Sequence, residues 1–225
     1  MVWLAARQEE LPCGESWLAE AERGALSRLR VPKRRGDWLL GRWVAKRALV
    51  LTGGAARESD VAILASASGA PDAFVLGRPA GVSLSLTHSH GVAVAALGPA
   101  GVLLGVDLEA IEKRPAGFLG DWFTPAEQAF VAEAEAEAVA GEAALAATLV
   151  WSAKESVMKA LREGLRIPPK AVEISTGRGP ADGAWRPFAA RGPGQDAWHG
   201  WWKAEAGFVL CAVASPASGP PLPIG

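Results

Sequence analysis

Residues 101–115 read GVLLGVDLEAIEKRP. Apolar residues and glycines fill positions 101–106, and then two carboxylates arrive two apart, Asp107 and Glu109. A β-strand turns alternate side chains to opposite faces, so residues two apart share one. The spacing therefore predicts two like charges side by side at the end of a buried strand, where they repel. Two arrangements relieve that repulsion. Either the strand ends at 106 and both acids are solvated, or a hard divalent cation lies between them. Mg²⁺ takes oxygen ligands and is bound through a few carboxylates together with water and substrate phosphates.

Working outward, residues 71–109 have the texture of strands and turns. Val82, Leu84, Leu86 and His88 alternate with Ser83, Ser85, Thr87 and Ser89, and the apolar segments 91–97 and 102–108 are joined by GPAG. The pattern predicts a three-stranded meander, with a boundary between two lobes near the turn at 98–101. Upstream, residues 15–30 read as an amphipathic helix interrupted at Gly24. After Pro32, Trp38, Leu39, Arg42, Trp43, Lys46 and Leu49 recur at helical spacing until Gly53 and Gly54. Arg35, Arg42 and Lys46 fall on another side of that helix and read, by themselves, as a solvated face. Downstream, DWFTPAEQAF at 121–130 carries a helix start: Thr124 caps, Pro125 takes the first position and Glu127 completes a capping box. That helix runs to about residue 140 and breaks at Gly141; a second continues through WSAKESVMKAL to a stop at Gly164. Strand candidates follow at 171–176, 198–204 and 207–214. The expected organisation is a lobe over 1–100, a lobe carrying the acidic strand over 101–215, and a disordered tail over 216–225.

Composition narrows the classes. A chain of 225 residues suits one large domain or two lobes, and 50% hydrophobic residues suffice for a core. A formal net charge of −1 gives no global field for nucleic acid. Cys13 and Cys211 lie in no metal-type spacing and make no disulfide framework, which points to reduced thiols in a cytoplasmic protein. Glu9 and Glu10 fall where a signal peptide needs its apolar core, and the apolar run 92–106 is broken by Gly98, Pro99 and Gly101. It reads as a hairpin and not a membrane span.

Three further clusters carry chemistry. In WSAKESVMKAL, Glu155 and Lys159 lie one helical turn apart on a face shared with Trp151 and Ser152, while Lys154 points elsewhere. A surface ion pair at that spacing stabilises by only ~0.3–0.5 kcal/mol, but Trp151, Val157, Met158 and Leu161 imply partial burial. In SLTHSHG, residues 85–91, the hydroxyls of Ser85, Thr87 and Ser89 with His88 can donate to phosphate oxygens. His88 and His90 could instead bind a transition metal, though no third ligand lies nearby in sequence. The GRP turn at 77–79 offers one cation, Arg78.

Taken in order, G-R-P, then T-H-S, then G-V-D-L-E, then W-F-T-P-A-E, then W-S-A-K-E-S-V-M-K, then G-L-R-I-P resembles the 4′-phosphopantetheinyl transferases. The similarity is greater to the large monomeric Sfp-type class, and it spans about residues 30 to 175. The resemblance implies an α+β fold of two similar lobes related by a pseudo-twofold, with the cofactor in the cleft between them. It implies transfer of the phosphopantetheine arm of coenzyme A to a serine of an acyl, peptidyl or polyketide carrier protein, releasing adenosine 3′,5′-bisphosphate. Asp107, Glu109 and Glu155 would hold Mg²⁺ (or Mn²⁺), Glu155 would act as base, and Lys159 and His88 would stabilise charge on phosphate. Thr87, His88 and Ser89 would contact the pyrophosphate; Arg78 and Pro79 would face the adenosine end, and Arg42 belongs to the cofactor-binding set. Which of Arg34, Arg35, Arg42 and Lys46 reaches the 3′-phosphate stays open.

Two departures from the family pattern stand out: Asp37 falls where a cation is expected, and Leu76 where some relatives carry an aromatic residue. The rival reading is a non-catalytic coenzyme A-binding module that kept the fold, against which stand the intact Asp107, Glu109, Glu155 and Lys159. A phosphotransferase using another nucleotide lacks support, because no G-x-x-x-x-G-K-[ST] loop is present.

Overall fold

The computed structural model describes residues 1–163, 166–193 and 195–225, with the backbone alone at Gln195 and Asp196. It is a mixed α+β fold in two compact units. The first unit comprises Met1–Leu104 with Pro221–Gly225, the second Gly105–Pro220. The chain thus leaves the first unit, builds the second, and returns.

In the first unit, β1 (Val2–Arg7) is followed by α1 (Glu20–Leu26), α2 (Pro32–Leu51), β2 (Val61–Ala65), β3 (Pro71–Val75), β4 (Arg78–Pro79), β5 (Val82–Ser89) and β6 (Val92–Pro99). Pro32 opens α2 at a position whose N–H would have no helical partner. Leu40, Val44, Ala48 and Leu49 are buried together with Leu84, Ala93, Ala95 and Leu97 of β5 and β6, so the helix covers that sheet. Only Glu20–Leu26 of the helix expected over 15–30 forms, and it passes through Gly24. Trp17 and Leu18 are instead spent on packing: they join Leu26, Trp38, Leu39 and Trp43 in a separate cluster.

The meander does not extend to three strands. β5 and β6 pair antiparallel from Val82↔Pro99 to Ser89↔Val92, but the other edge of β6 is taken by β1, from Val2↔Leu97 to Arg7↔Val92. The next strand, β7 (Leu103–Ala110), therefore leaves this sheet and begins another.

The second unit continues with α3 (Phe118–Trp122), α4 (Pro125–Ala136), α5 (Glu142–Ala160), β8 (Glu173–Thr176), β9 (Arg186–Gly192), β10 (Gln195–Glu205) and β11 (Phe208–Ser215). Its sheet runs β7-β11-β10-β9-β8. The Thr124 cap on α4 forms as expected, with Pro125 first in the helix and Glu127 returning to the Thr124 N–H at 2.7 Å. Leu149, Ala153, Val157 and Met158 of α5 pack against Trp198, Trp202, Val209 and Cys211 of the sheet. β9 escaped the sequence reading because Pro187 and Gly192 resemble turn residues. The helix stop assigned to Gly164 lies outside the described residues.

The tail expected to be disordered is ordered at its end. Leu222–Pro223 forms β12, parallel to β1, where the Leu222 N–H donates to Met1 O (3.2 Å) and the Ile224 N–H to Trp3 O (2.9 Å). Donors alternate along the strand, so Pro223, which has none, falls at the position that needs none on this edge. Among the described residues no helix is long and apolar enough to cross a membrane.

Candidate active site

Gly105 explains how β7 meets α5. A Cβ there would stand 1.8 Å from the Ser156 carbonyl oxygen, so only glycine lets helix backbone lie this close to the strand. Two side chains of α5 then reach β7. The Ser152 hydroxyl donates to Asp107 O at 3.1 Å, and Lys159 Nζ donates to Val106 O at 3.2 Å and to Asp107 Oδ1 at 2.7 Å. Asp107 is 4% exposed. The ion pair Lys159 makes here runs across to β7, where the helical spacing had suggested Glu155 as its partner.

Glu109, two residues along the same strand, accepts from Arg114 Nη2 at 3.2 Å. Burial, and next the charge of Asp107, push the Glu109 carboxyl above its usual range, with Arg114 and Lys159 pulling back. Glu155 is raised further, to about 7, by burial first and then by the Asp107 charge, with Glu109 adding and Lys159 opposing. Three carboxylates and one lysine therefore form a single electrostatic unit. Among the described residues no three His, Cys, Asp or Glu side chains are gathered tightly enough to make a ready-formed metal cluster. The donor chemistry nonetheless suits a hard divalent cation: every donor is a carboxylate oxygen, and two of the three are destabilised by neighbouring negative charge.

The first unit holds a separate cavity of about 540 Å³, lined among others by Arg34, Asp37, Trp38, Arg42, Leu86 and His88. Arg42 stacks on the Trp38 ring at 3.9 Å, its Nε is buried without a hydrogen-bond partner among the described residues, and burial lowers the guanidinium pKa to about 10. His88 Nδ1 lies 4.0 Å from Asp37 Oδ2. The four basic candidates thus separate. Arg34 and Arg42 line the cavity; Arg35 is tied to Glu15 and to Leu26 O; Lys46, read from sequence as part of a solvated face, is fully buried against Glu22.

Strand alternation divides the T-H-S motif. His88 follows Leu86 into the cavity lining, whereas Thr87 is 5% exposed and Ser89 Oγ is 3.0 Å from His90 Nδ1. Thr87, Arg78 and Pro79 do not line that cavity. Arg78 and Pro79 form exposed β4, reached through Leu76 and Gly77, both with positive φ (49° and 78°). Positive φ at both central residues suits a tight hairpin turn.

Gly105 and Arg114 are the two contributors that motif reading passed over. A glycine inside an apolar strand is a recognised mark of close backbone approach and could have been flagged. Arg114 gave no signal, since its partner became visible only once the 111–114 segment turned back on β7.

No curated protein sequence matches the chain. Two family models do: the 4′-phosphopantetheinyl transferase superfamily over residues 103–212, and the 4′-phosphopantetheinyl transferase N-terminal domain over residues 22–98. The first takes in Asp107, Glu109, Glu155 and Lys159, the second Arg34, Arg42 and His88. Members of this family are transferases that use coenzyme A as substrate and carrier proteins as partners. With both halves of its α+β fold accounted for in this way, the chain belongs to the 4′-phosphopantetheinyl transferase superfamily.

Proposed function

We propose that the chain is an Sfp-type, monomeric, cytoplasmic enzyme that transfers the 4′-phosphopantetheine arm of coenzyme A to a serine of an apo acyl, peptidyl or polyketide carrier protein, with Mg²⁺ as its cation. The observation that carries this reading is the coupled group of Asp107, Glu109, Glu155 and Lys159 on β7 and α5. Asp107, Glu109 and Glu155 would hold the cation, which supplies positive charge to the pyrophosphate when bound.

The serine Oγ bonds to the phosphorus that carries pantetheine as the bond from that phosphorus to the bridging oxygen breaks. Adenosine 3′,5′-bisphosphate leaves. Lys159, already fixed by Val106 O and Asp107, adds a preorganised positive charge where negative charge develops. Glu155 takes the serine proton; a carboxylate in buried surroundings is a better base than one in water. Arg34 and Arg42, which line one cavity, would receive the 3′-phosphate through their guanidinium groups, and His88 would contact the pyrophosphate.

The test is to incubate the protein with coenzyme A, Mg²⁺ and a panel of apo carrier proteins and to weigh the carriers. A mass gain of one phosphopantetheine is expected, falling by about 10²- to 10³-fold in rate for Asp107→Ala, as removal of a principal electrostatic contributor does. No gain on any carrier by a protein that still binds coenzyme A would replace this reading with the binding module.

A further inference from the structure

Arg114 sits where the segment after β7 turns back. Its side chain is 9% exposed, it donates to Glu109 Oε2 at 3.2 Å, and its guanidinium lies 5.3 Å from the centre of the Phe118 ring. Phe118 in turn meets Trp151 edge-on at 5.1 Å and Phe123 at 5.8 Å, and Trp151 meets Trp122 at 6.0 Å. Trp151 stands one helical turn before Glu155 on α5. A continuous run of contacts therefore joins one acid of β7, through a buried guanidinium and an aromatic cluster, to the helix that carries another.

We infer that Arg114 is a positioning residue: a clasp that fixes the Glu109 carboxylate against the aromatic cluster, so that β7 presents it in the orientation a divalent cation requires. The inference rests on the proposed role of Glu109 as a ligand. Charge alone would ask only for a cation near Glu109, and lysine would serve. The observed arrangement suits what lysine lacks, a broad planar cation that lies over a ring while one of its edges bonds a carboxylate. Arg114 Nε is buried without a hydrogen-bond partner among the described residues, and the side chain meets the ring and Glu109. Partners that orient a ligating carboxylate typically change metal affinity about 10- to 100-fold when removed.

The measurement is Mn²⁺ binding without coenzyme A, by calorimetry and by electron paramagnetic resonance, on the wild type, Arg114→Lys, Arg114→Gln and Phe118→Leu. Circular dichroism and the thermal midpoint establish that each variant is folded. Both Arg114 variants should bind Mn²⁺ about tenfold more weakly, with Phe118→Leu shifted the same way by less. The Mn²⁺ concentration for half-maximal transfer should rise in parallel, while the rate at saturating Mn²⁺ stays within about threefold of wild type, as a change confined to metal binding requires. Unchanged binding in Arg114→Lys overturns the clasp and leaves the proposed function standing. Tighter binding in Arg114→Gln also overturns it, because Arg114 would then be a counter-ion competing with the metal. A wild type that binds no Mn²⁺ sinks the metal reading and the clasp together. Should the Arg114 variants fail to fold, Phe118→Leu decides.

Discussion

Glu22 in the first unit and Glu127 in the second occupy the same position, third in a short helix. Each gives one oxygen to the N–H that begins its helix, Ala19 at 3.0 Å and Thr124 at 2.7 Å. Each gives its other oxygen to a strand N–H, Ile63 at 3.0 Å and Ile174 at 2.8 Å. Each pairs with a fully buried lysine of its unit's long helix, Lys46 of α2 and Lys154 of α5. Those lysines in turn donate to two backbone carbonyls apiece: Trp17 and Glu58 in one unit, Pro169 and Val172 in the other. Even the aromatic neighbour repeats, with Lys46 near Trp17 and Lys154 near Phe123.

The flanking positions differ. Lys46 is followed by Arg47, which pairs with Glu58 at 3.0 Å, whereas Lys154 is followed by Glu155. The first strand of one unit is VWLAAR; the first of the other carries Asp107 and Glu109. One internal strut, used twice, holds a long helix in place, and the carboxylates proposed to hold a cation stand at neighbouring positions in only one of the two. Burial pulls both lysines below their usual range, and the paired carboxylate pushes each back, so the strut depends on both partners being present.

The largest expected effect comes from breaking a strut on one side. Glu22→Gln and Glu127→Gln should each cost about 3–5 kcal/mol, as loss of one partner of a buried pair does. Hydrogen exchange locates the damage: Glu22→Gln should speed exchange at the Ile63 amide and spare Ile174, and Glu127→Gln the reverse. Exchange that rises equally at both amides would show that the two struts do not act locally. Replacing both partners of a strut with apolar residues should not restore the loss, because the two N–H groups and two carbonyls that each strut serves would be left without these partners.

Glycine substitutions come next. Gly105→Ala drives a methyl into the Ser156 carbonyl and should cost about 1–3 kcal/mol, the range for overpacking, with transfer activity falling as α5 shifts from β7. Gly41→Ala in α2 meets nothing within 4 Å and should stabilise by about 0.5–1 kcal/mol. Equal effects in a chemical denaturation series would mean that the close approach in the second unit is not needed.

The smallest effect serves as a control away from both struts. Asp182 is held at about 2, below the usual aspartate value of 3.8, chiefly by its hydrogen bond from Arg186. A carboxyl lowered on folding adds stability above its unfolded value and loses it as pH falls through the folded one. Asp182→Asn should therefore lower the thermal midpoint slightly at pH 7, by less as pH falls through about 2, and leave it unchanged only below that. A difference that persists at the acid end would rule out the ion pair as its cause.

The sequence made some of this legible and concealed the rest for physical reasons. α2, α4 and the β5–β6 hairpin follow from periodicity and caps, which act between residues a few positions apart. Glu127 was visible as a cap but not as a strut, because Lys154 and Ile174 lie 27 and 47 residues further on. Glu22 and Lys46 were hidden in the same way; a charged pair that meets only in the fold looks like two surface residues in the chain. The acids of the candidate site were legible because their spacing is local to one strand and one helix. Arg114 and Gly105 matter through what they touch, which no spacing reveals.

The strand β12 has a consequence for folding. Its partner β1 precedes the whole of the second unit in the chain, and β12 follows it. Pairing β1 with β12 therefore closes a loop that contains the entire second unit, and the outer edge of β1 stays uncovered until that loop closes. Removing residues 221–225 would strip a strand from the first unit while leaving the second unit's residues untouched.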